Sequence, residues 1–180
     1  EDVLVFGPGP IGVLVAAVAD SVGANVIVGG LSKDAEHRFP LLDDLGIETV
    51  NIQENDLEER TEEFTEGKNF DRVFDTTGHH SGVEQAVDVV RKGGQIVVVG
   101  LPGEPSEVFM TPLVRGEVDL NTSYGSTWRN FEQALRLLEN GSVDPGPIMD
   151  TGYSVDDPKT AFEDFLESRT VKPVFRFGEE

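Results

Sequence analysis

Val3-Leu4-Val5-Phe6-Gly7-Pro8-Gly9-Pro10-Ile11-Gly12 decides the fold. Four apolar residues run directly into Gly-x-Gly-x-x-Gly, and the alanine-rich apolar run from Val13 to Val18 follows without a break. A glycine triplet by itself says little. One that closes a buried strand and opens a helix has the strand-turn-helix context of a dinucleotide-binding turn. Gly7 permits the tight turn, Gly9 removes the Cβ that would keep a pyrophosphate off the backbone, and Gly12 lets the helix pack close to the strand. A helix starting near Pro10 aims unpaired N–H groups and the positive end of its dipole at the turn, so a diphosphate there needs no basic side chain. Pro10 suits the first helical position, where its missing N–H has no role. The alternative is a glycine-rich turn of an α/β protein that binds nothing.

Outward from this stretch, strand and helix patterns alternate. Residues 1–6 give a strand and 10–21 a helix, with Ile11, Leu14, Val18 and Val22 at helical spacing and Gly23 as its C-cap. Strands are expected at 25–28, 49–52, 70–74 and 95–99, and helices at 56–66 and 81–90. The helix of residues 34–45 contains Pro40, which predicts a start near Phe39 or a kink. Gln95 to Val99 is the uninterrupted apolar type that parallel sheets bury on both faces. Right-handed crossovers then give an α/β fold, a doubly wound parallel (Rossmann) sheet in the order 3-2-1-4-5-6. Residues 1–128 form this dinucleotide-binding domain and 129–180 the closing helices and C-terminal segment. Trp128, Phe131, Phe162 and Phe165 are expected to pack those helices. Residues 105–120, with Val108, Phe109, Met110 and Val118, fall at a sheet edge that could pair with a second copy.

The chain has 180 residues, 34 acidic against 14 basic, and a net charge of −20. Nucleic acid and anionic membranes are poor partners for it, because both are bound through Lys and Arg. The acids interleave with apolar positions, as in Leu57-Glu58-Glu59-Arg60-Thr61-Glu62-Glu63-Phe64, and read as solvated helix faces. Such a composition resembles that of proteins from salt-loving microbes and predicts poor stability at low salt. No apolar run is long enough for a membrane span, and Glu1-Asp2 lacks the basic start of a signal peptide, so a cytoplasmic place is expected. Without cysteine there is neither a disulfide nor a thiolate zinc site.

The second strand chooses the cofactor. An Asp or Glu roughly 20 residues beyond the glycine turn normally accepts the adenosine ribose hydroxyls. Here the strand ends Val28-Gly29-Gly30-Leu31-Ser32-Lys33-Asp34, so Gly30 stands where that acid is expected. Its loss removes repulsion toward a ribose 2′-phosphate, for which Ser32, Lys33 and Arg38 supply hydrogen bonds and charge. That favours NADP. The competing reading has Asp34 curling back to the ribose, which favours NAD.

Phe6-Gly7-Pro8-Gly9-Pro10-Ile11-Gly12, residues 70–78 (Phe-Asp-Arg-Val-Phe-Asp-Thr-Thr-Gly) and residues 90–101, through Gly93-Gly94 to Gly100-Leu101, together resemble the cofactor domain of the medium-chain, zinc-dependent alcohol and polyol dehydrogenases. Residues 123–128, the helix from Arg129 and the closing Tyr153-Ser154-Val155 are similar to the sorbitol and threonine dehydrogenase branch. The resemblance implies that Gly9, Pro10 and Ile11 meet the pyrophosphate through the backbone. It places Thr77 and Gly78 on the adenosine side, Val99, Gly100 and Leu101 at the nicotinamide, and Ser123 and Tyr124 near its carboxamide. Lys172 falls where the family has a basic residue reaching the pyrophosphate. Family members are about twice as long and carry their zinc ligands in a preceding catalytic domain. The chain is therefore expected to be a cofactor domain, inactive alone, with zinc and a small alcohol or polyol reaching it only through that missing domain. The family also implies a homo-oligomer.

His37, His79 and His80 are the remaining ligand candidates. Adjacent side chains in an extended segment point opposite ways, so His79 and His80 do not suit one metal, and no metal site is expected. Two further readings stay open: a zinc-free quinone or enoyl reductase, and a stand-alone nucleotide-binding regulatory module.

Overall fold

The computed structural model describes residues 1–149 and 152–177. Six parallel strands form one sheet in the order β3-β2-β1-β4-β5-β6: β1 Asp2–Phe6, β2 Asn25–Gly30, β3 Glu48–Asn51, β4 Phe70–Asp75, β5 Val90–Val98 and β6 Asp119–Thr122. This is the doubly wound order expected from the sequence. β1 lies at the centre, flanked by β2 and β4, so the direction of winding reverses beside it and a crevice opens at the carboxyl ends.

The two-residue period of β1 builds both layers of the core. Val3 and Val5 face one side, where α1 (Pro10–Ser21) contributes Val13 and Ala16 and α2 (Arg38–Asp44) contributes Leu42. Leu4 and Phe6 face the other, where α4 (His80–Val89) contributes Val83, Ala86 and Val89, and α5 (Met110–Gly116) contributes Leu113. α3 (Leu57–Phe64) lays Leu57 and Phe64 on this second cluster. Asp56 caps α3 by accepting from the Glu58 and Glu59 amides, and those two acids complement the positive helix start.

Pro40 is the third residue of α2, within the first turn, where its missing N–H costs no helical bond. The helix does start late, as the sequence requires, and a 3₁₀ turn at Ser32–Asp34 fills the gap. β2 runs two residues further than expected because Gly29 and Gly30 still pair with Val50 and Asn51. β5 starts five residues early: Val90 pairs with Phe70, and a register shift absorbs the glycines before Gln95 meets Arg72.

Beyond the sheet lie α6 (Trp128–Glu139), a 3₁₀ turn at Gly146–Met149, and α7 (Pro158–Leu166) between the paired strands β7 (Gly152–Ser154) and β8 (Val174–Arg176). Of the expected segment 129–180, residues 150, 151 and 178–180 lie outside the described ones. Ile148 and Val171 dock this region onto the Val3–Val5 face. The aromatic packing expected here is corrected: Trp128, Phe131 and Phe162 are 78%, 57% and 62% exposed, and Phe165 is 36% exposed. With Leu135 and Leu138 also exposed, α6 presents an apolar stripe at helical spacing that nothing described in this chain covers. No helix among the described residues is long and apolar enough to cross a membrane.

Candidate dinucleotide site

The turn after β1 is built by close backbone contacts. Gly7 has φ +96°, and its N–H donates to the Gly29 carbonyl at 2.8 Å. Thr76, just past β4, donates its hydroxyl to the Phe6 carbonyl at 2.7 Å and to that of Gly7 at 3.1 Å. A Cβ on Gly12 would lie 1.8 Å from the Gly7 oxygen, so no other residue fits there without moving the backbone. A Cβ on Gly9 would meet nothing within 4 Å, which leaves the space in front of this residue open.

Gly9 is the N-cap of α1 and Pro10 its first residue. The first backbone bond at this end is Val13 N–H to the Gly9 carbonyl, 3.0 Å. The Ile11 and Gly12 amides have no acceptor among the described residues, and no acid lies in the first turn to offset the dipole. Such a terminus favours an anion.

Beside it opens a cavity of about 640 Å³. Gly7, Pro8 and Gly9 form one wall, Gly30, Leu31, Lys33, Asp34 and Arg38 the second, and Thr76, Thr77, His79 and Ser81 the third. Ile52, Gln53 and Gln85 complete it; these polar and apolar liners were not singled out in the sequence, where nothing local marks them. A slightly smaller cavity, about 450 Å³, lies between α2 and residues 169–171, away from the glycine turn.

At the second wall the expected carboxylate is absent for a steric reason as well as a sequence one. A Cβ on Gly30 would stand 2.6 Å from Phe39 Cε1 and 2.9 Å from Pro8 Cγ, so a side chain here collides with the ring. Asp34 does not replace it. It is 2% exposed, with Oδ2 accepting from the Leu31 amide at 2.9 Å and Oδ1 from Arg38 at 3.1 Å. Arg38 is likewise engaged, donating also to the carbonyls of Thr170 (3.2 Å) and Phe165 (3.4 Å). Its guanidinium is thus turned from the phosphate role read in the sequence. Lys33 is exposed and has no acidic partner among the described residues. Ser32 is tied to the loop after β3, donating its hydroxyl to Glu54 at 3.0 Å and accepting from Asn51 at 3.1 Å.

The remaining expected residues lie outside the cavity. Val99 and Gly100 donate backbone N–H groups to the Asp75 carbonyl at 2.8 and 2.9 Å, and a Cβ on Gly100 would lie 2.3 Å from the Gly78 nitrogen. Leu101 packs beside Gly78, and the Ser123 amide reaches the Val98 carbonyl at 3.0 Å. These residues therefore line up along the carboxyl edge of β4, β5 and β6, continuing from the cavity. Tyr124 is 86% exposed, and Lys172 is exposed on the segment before β8.

At the third wall His79 Nδ1 sits 2.8 Å from the Ser81 hydroxyl. The expectation that His79 and His80 point opposite ways is corrected: their rings lie 4.3 Å apart, tilted by 34°, because His80 already begins α4. The Glu107 amide, donating to Glu84 at 2.8 Å, lowers the carboxyl pKa of Glu84, and His80 adds to the effect. Among the described residues no three His, Cys, Asp or Glu groups stand together as a metal site.

Residues 10–140 match the family described as zinc-binding dehydrogenase. A sorbitol dehydrogenase of Halalkalibacterium halodurans is 32% identical over 94% of this chain and 50% of its own length. The D-arabitol-phosphate dehydrogenase of Enterococcus avium is 28% identical over 100% of this chain and 51% of its own. Among solved structures, L-idonate 5-dehydrogenase of Escherichia coli superposes with a TM-score of 0.81 at 28% identity, covering 98% of this chain and 50% of that one. The chain spans about half the length of the curated relatives it matches.

Proposed function

The chain belongs to the zinc-binding dehydrogenase family, and from that premise we propose that it is the nicotinamide-dinucleotide-binding half of an alcohol or polyol dehydrogenase. The observation that carries the reading is the pair of unpaired amides at Ile11 and Gly12, facing the open space before Gly9 beside a 640 Å³ cavity. The residues fit the group. A diphosphate is an acceptor-only anion, and the helix start offers donors and a dipole without a basic side chain.

When bound, a nicotinamide ring accepts or gives the hydride. The chain's own residues bind and orient. Ile11 and Gly12 hold the diphosphate, the wall from Gly30 to Lys33 holds the adenosine ribose, and the edge from Val99 to Leu101 with Ser123 frames the nicotinamide. The described residues offer no ligand set for zinc, so on this reading zinc and the substrate belong to the other half of the protein. Names of the relatives, a sorbitol and an arabitol-phosphate dehydrogenase, support a polyol as substrate. The β6 edge, which has no strand beside it among the described residues, and exposed Phe109, Met110, Val114 and Leu120 at it support a homo-oligomer.

For the cofactor the proposal is NADP, supported by Gly30, by the engaged carboxylate of Asp34 and by the unpartnered Lys33. One observation favours NAD instead: the Glu54 carboxylate, 3.0 Å from the Ser32 hydroxyl, would repel a 2′-phosphate seated on Ser32. Calorimetric titration with NADP and NAD tests both readings. Tighter NADP binding supports the first, tighter NAD binding the second, and binding of neither removes the dinucleotide assignment.

A further inference from the structure

Asp34 and Arg38 form a buried ion pair at 3.1 Å, with side chains 3% and 9% exposed. Each partner also holds backbone from a different part of the chain. Asp34 accepts from Leu31, inside the loop that walls the cavity, while Arg38 donates to the carbonyls of Phe165 and Thr170, 127 and 132 residues away. The Phe165 ring lies 5.9 Å from the guanidinium. A chain of polar contacts therefore runs from Leu31 through both side chains to the end of α7.

Stability alone is a poor account of this arrangement. Burying two charges costs solvation that their attraction only partly returns, and apolar residues of similar size often do as well. The junction is also incompletely satisfied: Arg38 Nε, Ser168 Oγ and Thr170 Oγ1 are buried with no partner among the described residues, and Ser168 holds a left-handed φ of +62°. Directional bonds supply what an apolar pair lacks. They fix the loop of residues 31–34 at one height and one angle against residues 165–170.

The geometry points to Asp34 and Arg38 as a positioning pair that sets the ribose-side wall, Leu31 to Lys33, by anchoring it to the C-terminal segment. The inference rests on the dinucleotide reading and goes beyond it. Both residues border the cavity, but their polar atoms are spent on each other and on backbone, so they act through the wall they hold; the adenosine end is gripped well only while the Phe165–Thr170 segment is docked.

The experiment is calorimetry on the protein containing this chain, with adenosine 2′,5′-bisphosphate and AMP as probes of the adenosine end. In Arg38→Lys, which keeps the charge but loses the fork of donors, and in Asp34→Asn, the dissociation constant rises about tenfold with stoichiometry unchanged. A pair serving stability alone would instead lower the stoichiometry and leave the affinity of the folded fraction intact. The double variant Asp34→Asn/Arg38→Gln leaves no unpaired buried charge, so it stays informative if a single variant fails to fold. Its loss should match that of one single variant, since one contact chain is being broken. Hydrogen exchange at Leu31 should speed up together with that of residues 165–170. Unchanged affinity in all three variants overturns the positioning role. Failure of the unsubstituted protein to bind either probe overturns the dinucleotide reading beneath it.

Discussion

Gly12 sits so close to the Gly7 carbonyl oxygen that a β-carbon on it would lie 1.8 Å away. The same β-carbon would stand 2.7 Å from Thr76 Oγ1, which itself bonds the Gly7 oxygen. Strand, helix and the end of β4 meet at this one point. Gly12→Ala must push backbone apart, and the expected loss is about 2–3 kcal/mol of stability with loss of dinucleotide binding. Gly9→Ala separates the two effects. At φ −76° alanine is unstrained and meets nothing, so stability stays within about 0.5 kcal/mol of the original. Its methyl group nevertheless occupies the approach to the α1 amides, and affinity should fall at least about tenfold. Urea midpoints and calorimetry on the two variants check this.

Lys33 is the exposed cation of the ribose-side wall. Lys33→Ala should weaken NADP about tenfold while leaving NAD within about twofold, the cost of one charge-assisted contact to the 2′-phosphate. Equal losses for both cofactors would place Lys33 elsewhere. Gly30→Asp should not create an NAD enzyme, because its Cβ would collide with Phe39; a loss of about 1–3 kcal/mol in thermal or urea unfolding is expected instead.

Asp71 gives a pH test. Burial pushes its carboxyl up, but the Arg91 guanidinium at 2.6 Å and the Asp2 amide at 2.7 Å outweigh that and hold its pKa below the ordinary 3.8. A depressed carboxylate adds stability above its unfolded pKa, and that stability is lost as pH falls through the lowered folded value. The stability difference between the original chain and Asp71→Asn should therefore be about 0.5–1 kcal/mol at neutral pH and shrink below about pH 4. A difference that grows on acidification would contradict the pairing.

Charge as unbalanced as −20 on 180 residues repels itself at low ionic strength. Raising salt from about 0.1 to 1 M shortens the screening length from about 10 to 3 Å, so the urea midpoint should rise. A flat or falling midpoint would show that the acidic faces are spaced widely enough to ignore one another.

What was legible in the sequence is what neighbours in sequence decide. Val3 to Gly12 declares its strand, turn and helix because each residue's role is settled within ten positions, and the alternation of strands with helices then points to a doubly wound parallel sheet. The engagement of Arg38 is not legible there, because two of its acceptors are the carbonyls of Phe165 and Thr170, and no local pattern announces a bond across 127 or more residues. In the sequence Gly30 is simply a missing acid; that the Phe39 ring fills the space a Cβ would need depends on how α2 folds back over β2, which no local pattern announces. The helical spacing of Trp128, Phe131, Leu135 and Leu138 was legible. Its partner was not, since that surface finds no cover within the described chain.

The most direct test is a crystal structure of the protein with NADPH bound. The account predicts diphosphate oxygens about 3 Å from the Ile11 and Gly12 nitrogens, with the adenosine ribose against Gly30 to Lys33. A dinucleotide lodged elsewhere, with that helix start facing only solvent, would contradict it.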